Sequence, residues 1–259
     1  MYASNYFESQ VLNLMRGQSI SGFNTLYLGL FLSNPGDTGS EGTEISYTGY
    51  ARQTIAFSAP AASGSGLMVQ NTALISFPES SSSAGSVTYI GVFDSITAGN
   101  MLLYAPLDIP LVVQNGVSPV FRAGSIKFSM TGNFSNYYRT QILNVLRGTN
   151  CVAFVPYLAL CSGDPTASGT EFSGGDYARI AVTMGAPSQQ ASGTALSVNT
   201  NDAMSNVATA NWGSLTHAAI YDSSTGGNPF AVVDLGRVYA APIGTAIGIH
   251  AGDLQVNFN

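Results

Sequence analysis

The sequence predicts a mainly β protein built from two tandem antiparallel β-sandwich modules of jelly-roll-like type, each preceded by a short N-terminal α-helix. Three observations carry this expectation. One half of the 259-residue chain recurs in the other. Each copy opens on a single apolar stripe at helical spacing. The remainder of each copy consists of short β-branched and aromatic runs divided by Gly, Pro, Asn, Asp and Ser turns, with no βαβ alternation.

The repeat is clearest at its start, where SNYFESQVLNLMRG (4–17) matches SNYYRTQILNVLRG (135–148) at eight of fourteen positions. Downstream, Tyr27-Leu28-Gly29-Leu30 answers Tyr157-Leu158-Ala159-Leu160, Gly42-Thr43-Glu44 answers Gly169-Thr170-Glu171, and Tyr50-Ala51-Arg52 answers Tyr177-Ala178-Arg179. Asp94-Ser95 pairs with Asp222-Ser223, and Ala123-Gly124 with Ala251-Gly252. The seam falls at about 130 to 134, giving modules 1–132 and 133–259. Features kept in both copies describe the fold; features in one copy only are local packing or acquired function.

Phe7, Val11, Leu14 and Met15 lie at i, i+4, i+7 and i+8, as do Tyr138, Ile142, Val145 and Leu146. Ser4 or Asn5 can cap the first helix and Gly17 can stop it. Nothing basic lines the polar face, so the stripe packs on a sheet and not on a membrane. Strands are expected at 26–32, 51–58, 86–93, 101–107, 119–121 and 125–130, with NPGDTGSEGT, PAASGSG, DSITAGN and VQNG as turns.

Only 22 residues are charged, 8 % of the chain against roughly 25 % in an ordinary domain. No apolar run reaches the roughly 18 to 20 residues of a membrane span, so no membrane insertion is expected. The net charge of −6 and the scatter of the eight basic residues argue against nucleic acid as a partner. Cys151 and Cys161 read as reduced, small apolar residues, since an extended segment between them holds them beyond the roughly 7 Å reach of a disulfide. MYASNYFESQ lacks the basic and apolar regions of an export signal, so assembly in a cytoplasm is expected.

No catalytic, cofactor-binding or metal-ligating residue is assigned. His217, which stands where the first copy has Tyr89, and His250 have no metal-site spacing, and no GxSxG elbow is present. Asp94 and Asp222, within D-S-x-T-x-G-N, read as turn carboxylates that accept backbone N–H bonds. Glu44 with Arg52 and Glu171 with Arg179 read as ion pairs pinning a loop to the following strand. Arg16 and Arg147 read as cations at the negative end of each helix. Most aromatics fall on strands, where core packing is expected.

A helix ending in LNxxRG, then YLAL, GGDYAR, WGSLTHAAIYD, TGGN and a closing AGDL resembles a family of tailed-bacteriophage virion proteins labelled tail fibre or minor structural proteins. The second copy matches best; the first has longer loops and lacks the tryptophan. The resemblance implies a non-enzymatic component of the virion that contacts capsid or tail subunits and copies of itself. Compactness and the absence of shaft repeats point to capsid decoration or cementing; the family label points to a compact part of the tail fibre or tip. A carbohydrate-binding module for host surface glycans is the alternative, and it expects exposed aromatics beside Asn or Asp in a groove at equivalent places in both copies. A hydrolase, the third reading, needs two carboxylates about 5 to 10 Å apart.

Overall fold

The structure is a computed structural model that describes residues 1–191 and 193–258. In the first copy, β1 (Tyr2–Ala3), α1 (Asn5–Asn13) and a 3₁₀ turn (Leu14–Arg16) precede β2 (Leu26–Phe31), β3 (Gln53–Ile55), β4 (Ala61–Ser63), β5 (Gly66–Gln70), β6 (Ile75–Ser76), β7 (Gly85–Phe93), β8 (Met101–Val113), β9 (Val120–Phe121) and β10 (Lys127–Met130). In the second, α2 (Asn136–Val145) precedes β11 (Tyr157–Cys161), β12 (Ile180–Ala181), β13 (Ser188–Gln189), β14 (Ala195–Val198), β15 (Ala203–Met204), β16 (Gly213–Tyr221), β17 (Pro229–Ala241), β18 (Gly248–Ile249) and β19 (Gln255–Phe258).

The copies share one topology. The main sheets run β8-β7-β2-β3 and β17-β16-β11-β12, the smaller ones β10-β5-β4 and β19-β14-β13, and the two-stranded ones β6-β9 and β15-β18. All strand pairs are antiparallel, and β1 extends the first main sheet at β8. The mainly β, tandem architecture thus follows the expectation.

Two local expectations are corrected. The PAASGSG stretch is not a plain loop: it carries β4 and the start of β5, a tight hairpin closed by the Ser63–Gly66 pair with Gly64 at φ +57°. Its small residues have weak strand propensity, and pairing with β5, which β10 holds on its other side, imposes the extended backbone instead. The strand expected over 51–58 is confined to Gln53–Ile55, whereas β8 runs on through Val113.

Ser4 and Ser135 cap the helices, accepting the Phe7 and Tyr138 N–H groups. Gly17 and Gly148 stop them at φ +79° and +85°. Each helix packs on the sandwich of the other copy as well as on its own. α1 lies against β8 and also against β14 and β19, and α2 against β17 and also against β5. Phe7 makes edge contacts with Phe128 of β10 and Phe258 of β19, at 6.4 and 6.3 Å between ring centroids. One continuous core therefore contains buried residues of both copies. The chain segments leaving the helices cross reciprocally: Phe23 N donates to Val145 O at 2.9 Å, and Phe154 N to Leu14 O at 3.0 Å.

Candidate functional site

The repeated charges form a clasp in each copy. Arg52 donates from Nε and Nη2 to the two carboxylate oxygens of Glu44 at 2.9 and 2.8 Å, and Arg179 reaches Glu171 at 2.8 and 2.8 Å. Tyr50 Oη donates to Glu44 at 2.8 Å while accepting the Leu30 N–H of β2, and Tyr177 repeats this between Glu171 and Leu160. Burial, with the neighbouring glutamate adding to it, holds both phenols well above the ordinary tyrosine range. The remaining guanidinium edge donates to Ser95 O and Ala98 O in the first copy, and to Ser223 O and Gly226 O in the second. The guanidinium carbons sit 3.4 Å from the Phe93 ring centroid and 3.6 Å from that of Tyr221. A planar, permanently charged fork can satisfy a carboxylate and two carbonyls while stacking on a ring; a lysine cannot.

The turns these arginines grip are closed by the repeated aspartates. Asp94 accepts Asn100 N and Nδ2 at 2.7 and 2.8 Å; Asp222 accepts the same atoms of Asn228 at 2.7 and 3.3 Å. The loop-to-strand ion pair and the carboxylate turn read from the sequence are therefore one connected network. Trp212 adds to it in the second copy, donating to Gly174 O and Gly175 O at 3.1 and 3.0 Å and packing on Tyr177.

Arg16 closes the 3₁₀ turn that extends α1 and Arg147 follows the C-cap of α2, so each stands at the C-terminal end of its helix, where it also donates to an asparagine, Asn13 and Asn144, at 2.7 Å. His217 is half-buried with Nδ1 3.0 Å from Thr216 Oγ1, and exposed His250 lies 3.8 Å from Asp202. Cys151 and Cys161 are free and buried, with burial pushing the thiols up to about 11 and about 12.

The site that sequence reading missed lies where the copies meet. Glu8 of α1 and Arg139 of α2 occupy the same place in the repeat, and both are buried. Glu8 accepts Ala195 N of the second copy at 2.8 Å. Arg139 donates to Ser65 O of the first copy at 3.0 Å, to Asn136 Oδ1 at 2.8 Å and to Gly132 O. Each side chain thus reaches the hairpin of the opposite copy, an acid meeting an N–H and a base meeting a carbonyl. Beside each is a cleft: about 270 Å³ near Glu8, Asp37 and Tyr104, and about 620 Å³ near Arg139, Asp164, His217 and Asp234. The only sequence signal was the change of charge sign within two otherwise matching helices.

The fold and its clasps define a duplicated antiparallel β protein whose recurrent charges are bound into its own turns. The family model for podophage GP4 fiber I protein gp80 matches residues 2–129 and again residues 133–257. The chain belongs to that family, as a tandem of two copies. This is a family of structural phage fibre proteins, which agrees with the resemblance read from the sequence and brings with it association with other virion proteins. No curated protein matches the chain.

Proposed function

We propose that the chain is a non-enzymatic structural part of the phage tail fibre, a compact unit that joins other virion proteins and copies of itself after assembly in the host cytoplasm. We further propose that its two modules divide at the seam between residues 132 and 133. The observation that carries the functional reading is the family match over both copies. The structural use of Glu44, Arg52, Asp94 and their counterparts supports it, because groups that could serve as acids, bases or ligands are engaged in holding turns. A neutral polar surface of Ser, Thr, Asn and Gly suits packing against neighbours through shape and hydrogen bonds.

Cryo-microscopy of the particle carrying a tagged chain tests the position. Density for the tag at the tail is the expected result. Tags on the capsid lattice would overturn the tail position in favour of decoration of the capsid.

A further inference from the structure

The helix N-termini of the two copies are finished differently. In the first, Asn5 N donates to Asp37 O at 3.0 Å, and the Asp37 carboxylate accepts the Tyr104 hydroxyl, so the loop closes over the helix end. In the second, the corresponding loop is three residues shorter between its closing hydrogen bonds, Ser162 N to Thr170 O against Leu32 N to Thr43 O. Among the described residues Asn136 N has no backbone acceptor, and the cleft of about 620 Å³ stands open there. That volume lies within the usual range for small-ligand sites of roughly 300 to 1,000 Å³.

Arg139, only 7 % exposed, lines this cleft. Its hydrogen-bond acceptors are all neutral oxygens, its Nε has no partner, and among the described residues no carboxylate lies within ion-pair distance of it. A buried guanidinium without a counter-charge is costly, and an entering carboxylate relieves that cost. Asp164 and exposed Asp234 also line the cleft, together with His217 and the exposed ring of Tyr137. Carboxylates there accept hydrogen bonds from hydroxyls and repel a compact multivalent anion, while a tyrosine face suits the C–H face of a sugar ring.

We propose that the cleft at the start of α2 binds an acidic saccharide, with the sugar carboxylate supplying the counter-charge to Arg139 and the sugar hydroxyls meeting Asp164 and Asp234. The pseudo-equivalent cleft, smaller at about 270 Å³ and lined by the acids Glu8 and Asp37 with no arginine among the described residues, does not bind it.

The test is calorimetric titration of the full chain with galacturonate, with galactose and with inorganic phosphate. Galacturonate is expected to saturate one site and to bind at least about tenfold more tightly than either of the others, a difference of about 1.4 kcal/mol. The His217→Tyr variant, which installs the first-copy residue and fills the cleft without touching Arg139, is expected to lose about tenfold in affinity at an unchanged unfolding temperature. Arg139→Gln, its fold checked by circular dichroism, is expected to lose the preference for galacturonate over galactose. Absence of galacturonate binding at millimolar concentration, equal binding of galactose or of phosphate, or undiminished binding by His217→Tyr would overturn the proposal.

Discussion

Ile20 and Cys151 are the same residue of the repeat, and they pair with each other: Ile20 N donates to Cys151 O and Cys151 N to Ile20 O, both at 2.9 Å. A residue that meets its own counterpart marks a pseudo-twofold axis, so the two copies form an isologous dimer within one chain. The flanking contacts obey the same symmetry. Gly22 N donates to Asn150 Oδ1 and Ala153 N to Ser19 Oγ, each at 2.9 Å.

Symmetry makes Gly22 and Ala153 a matched pair of tests. A Cβ on Gly22 would fall on the Gly148 carbonyl, backbone that cannot move aside without shifting α2. Gly22→Ala is expected to destabilise the chain by about 1 to 3 kcal/mol. Ala153→Gly, at a place that already holds a Cβ, is expected to cost about 1 kcal/mol or less. Urea unfolding of both variants measures the difference.

Glu8 confers a pH dependence on the junction. Burial is the main cause that raises its carboxyl to about 8, the Ala195 N–H opposing and Asp37 adding to the rise. The folded chain therefore keeps this proton up to about pH 8, while the unfolded chain releases it near the ordinary glutamate value of about 4.3. Folded protein binds more protons across that window, so the Glu8 contribution to stability is full below pH 4 and falls as pH rises to 8. The loss by pH 8 is on the order of 5 kcal/mol. Glu8→Gln retains an acceptor for Ala195 N and is expected to remove this slope. Thermal unfolding from pH 5 to 8 should show the variant more stable than the parent at pH 8 and close to it at pH 5.

The clasps are expected to fail when the fork is lost, even if the charge is kept. Arg52→Lys leaves one ammonium to serve Glu44, Ser95 O and Ala98 O, and removes the stacking on Phe93. A cost of about 2 to 4 kcal/mol is expected by urea unfolding, with Arg179→Lys similar. Faster amide exchange at Asn100 in the first variant and at Asn228 in the second would localise each effect to its own turn.

Legibility in the sequence followed the range of the interactions. The Tyr, Glu and Arg of each clasp stood out because charges are rare and these recur at fixed spacing, and β2 and β7 were visible because their own side chains favour strands. The β4–β5 hairpin was hidden because Ala61, Ala62 and Ser63 carry little strand preference; their backbone is set by pairing with Met68, Leu67 and Gly66 of β5, which distant β10 holds on its other side. Glu8 and Arg139 belong to no motif and share a place in the repeat without sharing a charge. Their surroundings come from the hairpin of the opposite copy, and only the tertiary arrangement shows that both are buried.

The thiols are expected to be inert in the folded chain. Cys151 and Cys161 are buried, and their elevated pKa values leave little thiolate at neutral pH. Neither should react with a disulfide reagent at pH 7.5 on the timescale of minutes, and both should react after unfolding in guanidinium. Rapid native labelling of Cys151 would show that the Ile20–Cys151 junction opens readily.

Asp94 and Asp222 hold equivalent turns but not equivalent loads. Asp222 also accepts the hydroxyl of buried Tyr138 at 3.0 Å, whereas the residue at that place in α1 is Phe7, which has no hydroxyl to satisfy. Asp94→Ala should therefore cost about 1 to 2 kcal/mol, the value of two hydrogen bonds in an exposed turn, and Asp222→Ala about 1 to 3 kcal/mol more. Adding Tyr138→Phe to Asp222→Ala removes the stranded hydroxyl and should recover most of that excess, because deleting both partners of a buried hydrogen bond costs less than deleting one. Urea unfolding of the single and double variants completes the cycle. A structural turn requires this loss of stability and its rescue, while a carboxylate serving as a catalytic acid would leave stability unchanged or raised on replacement.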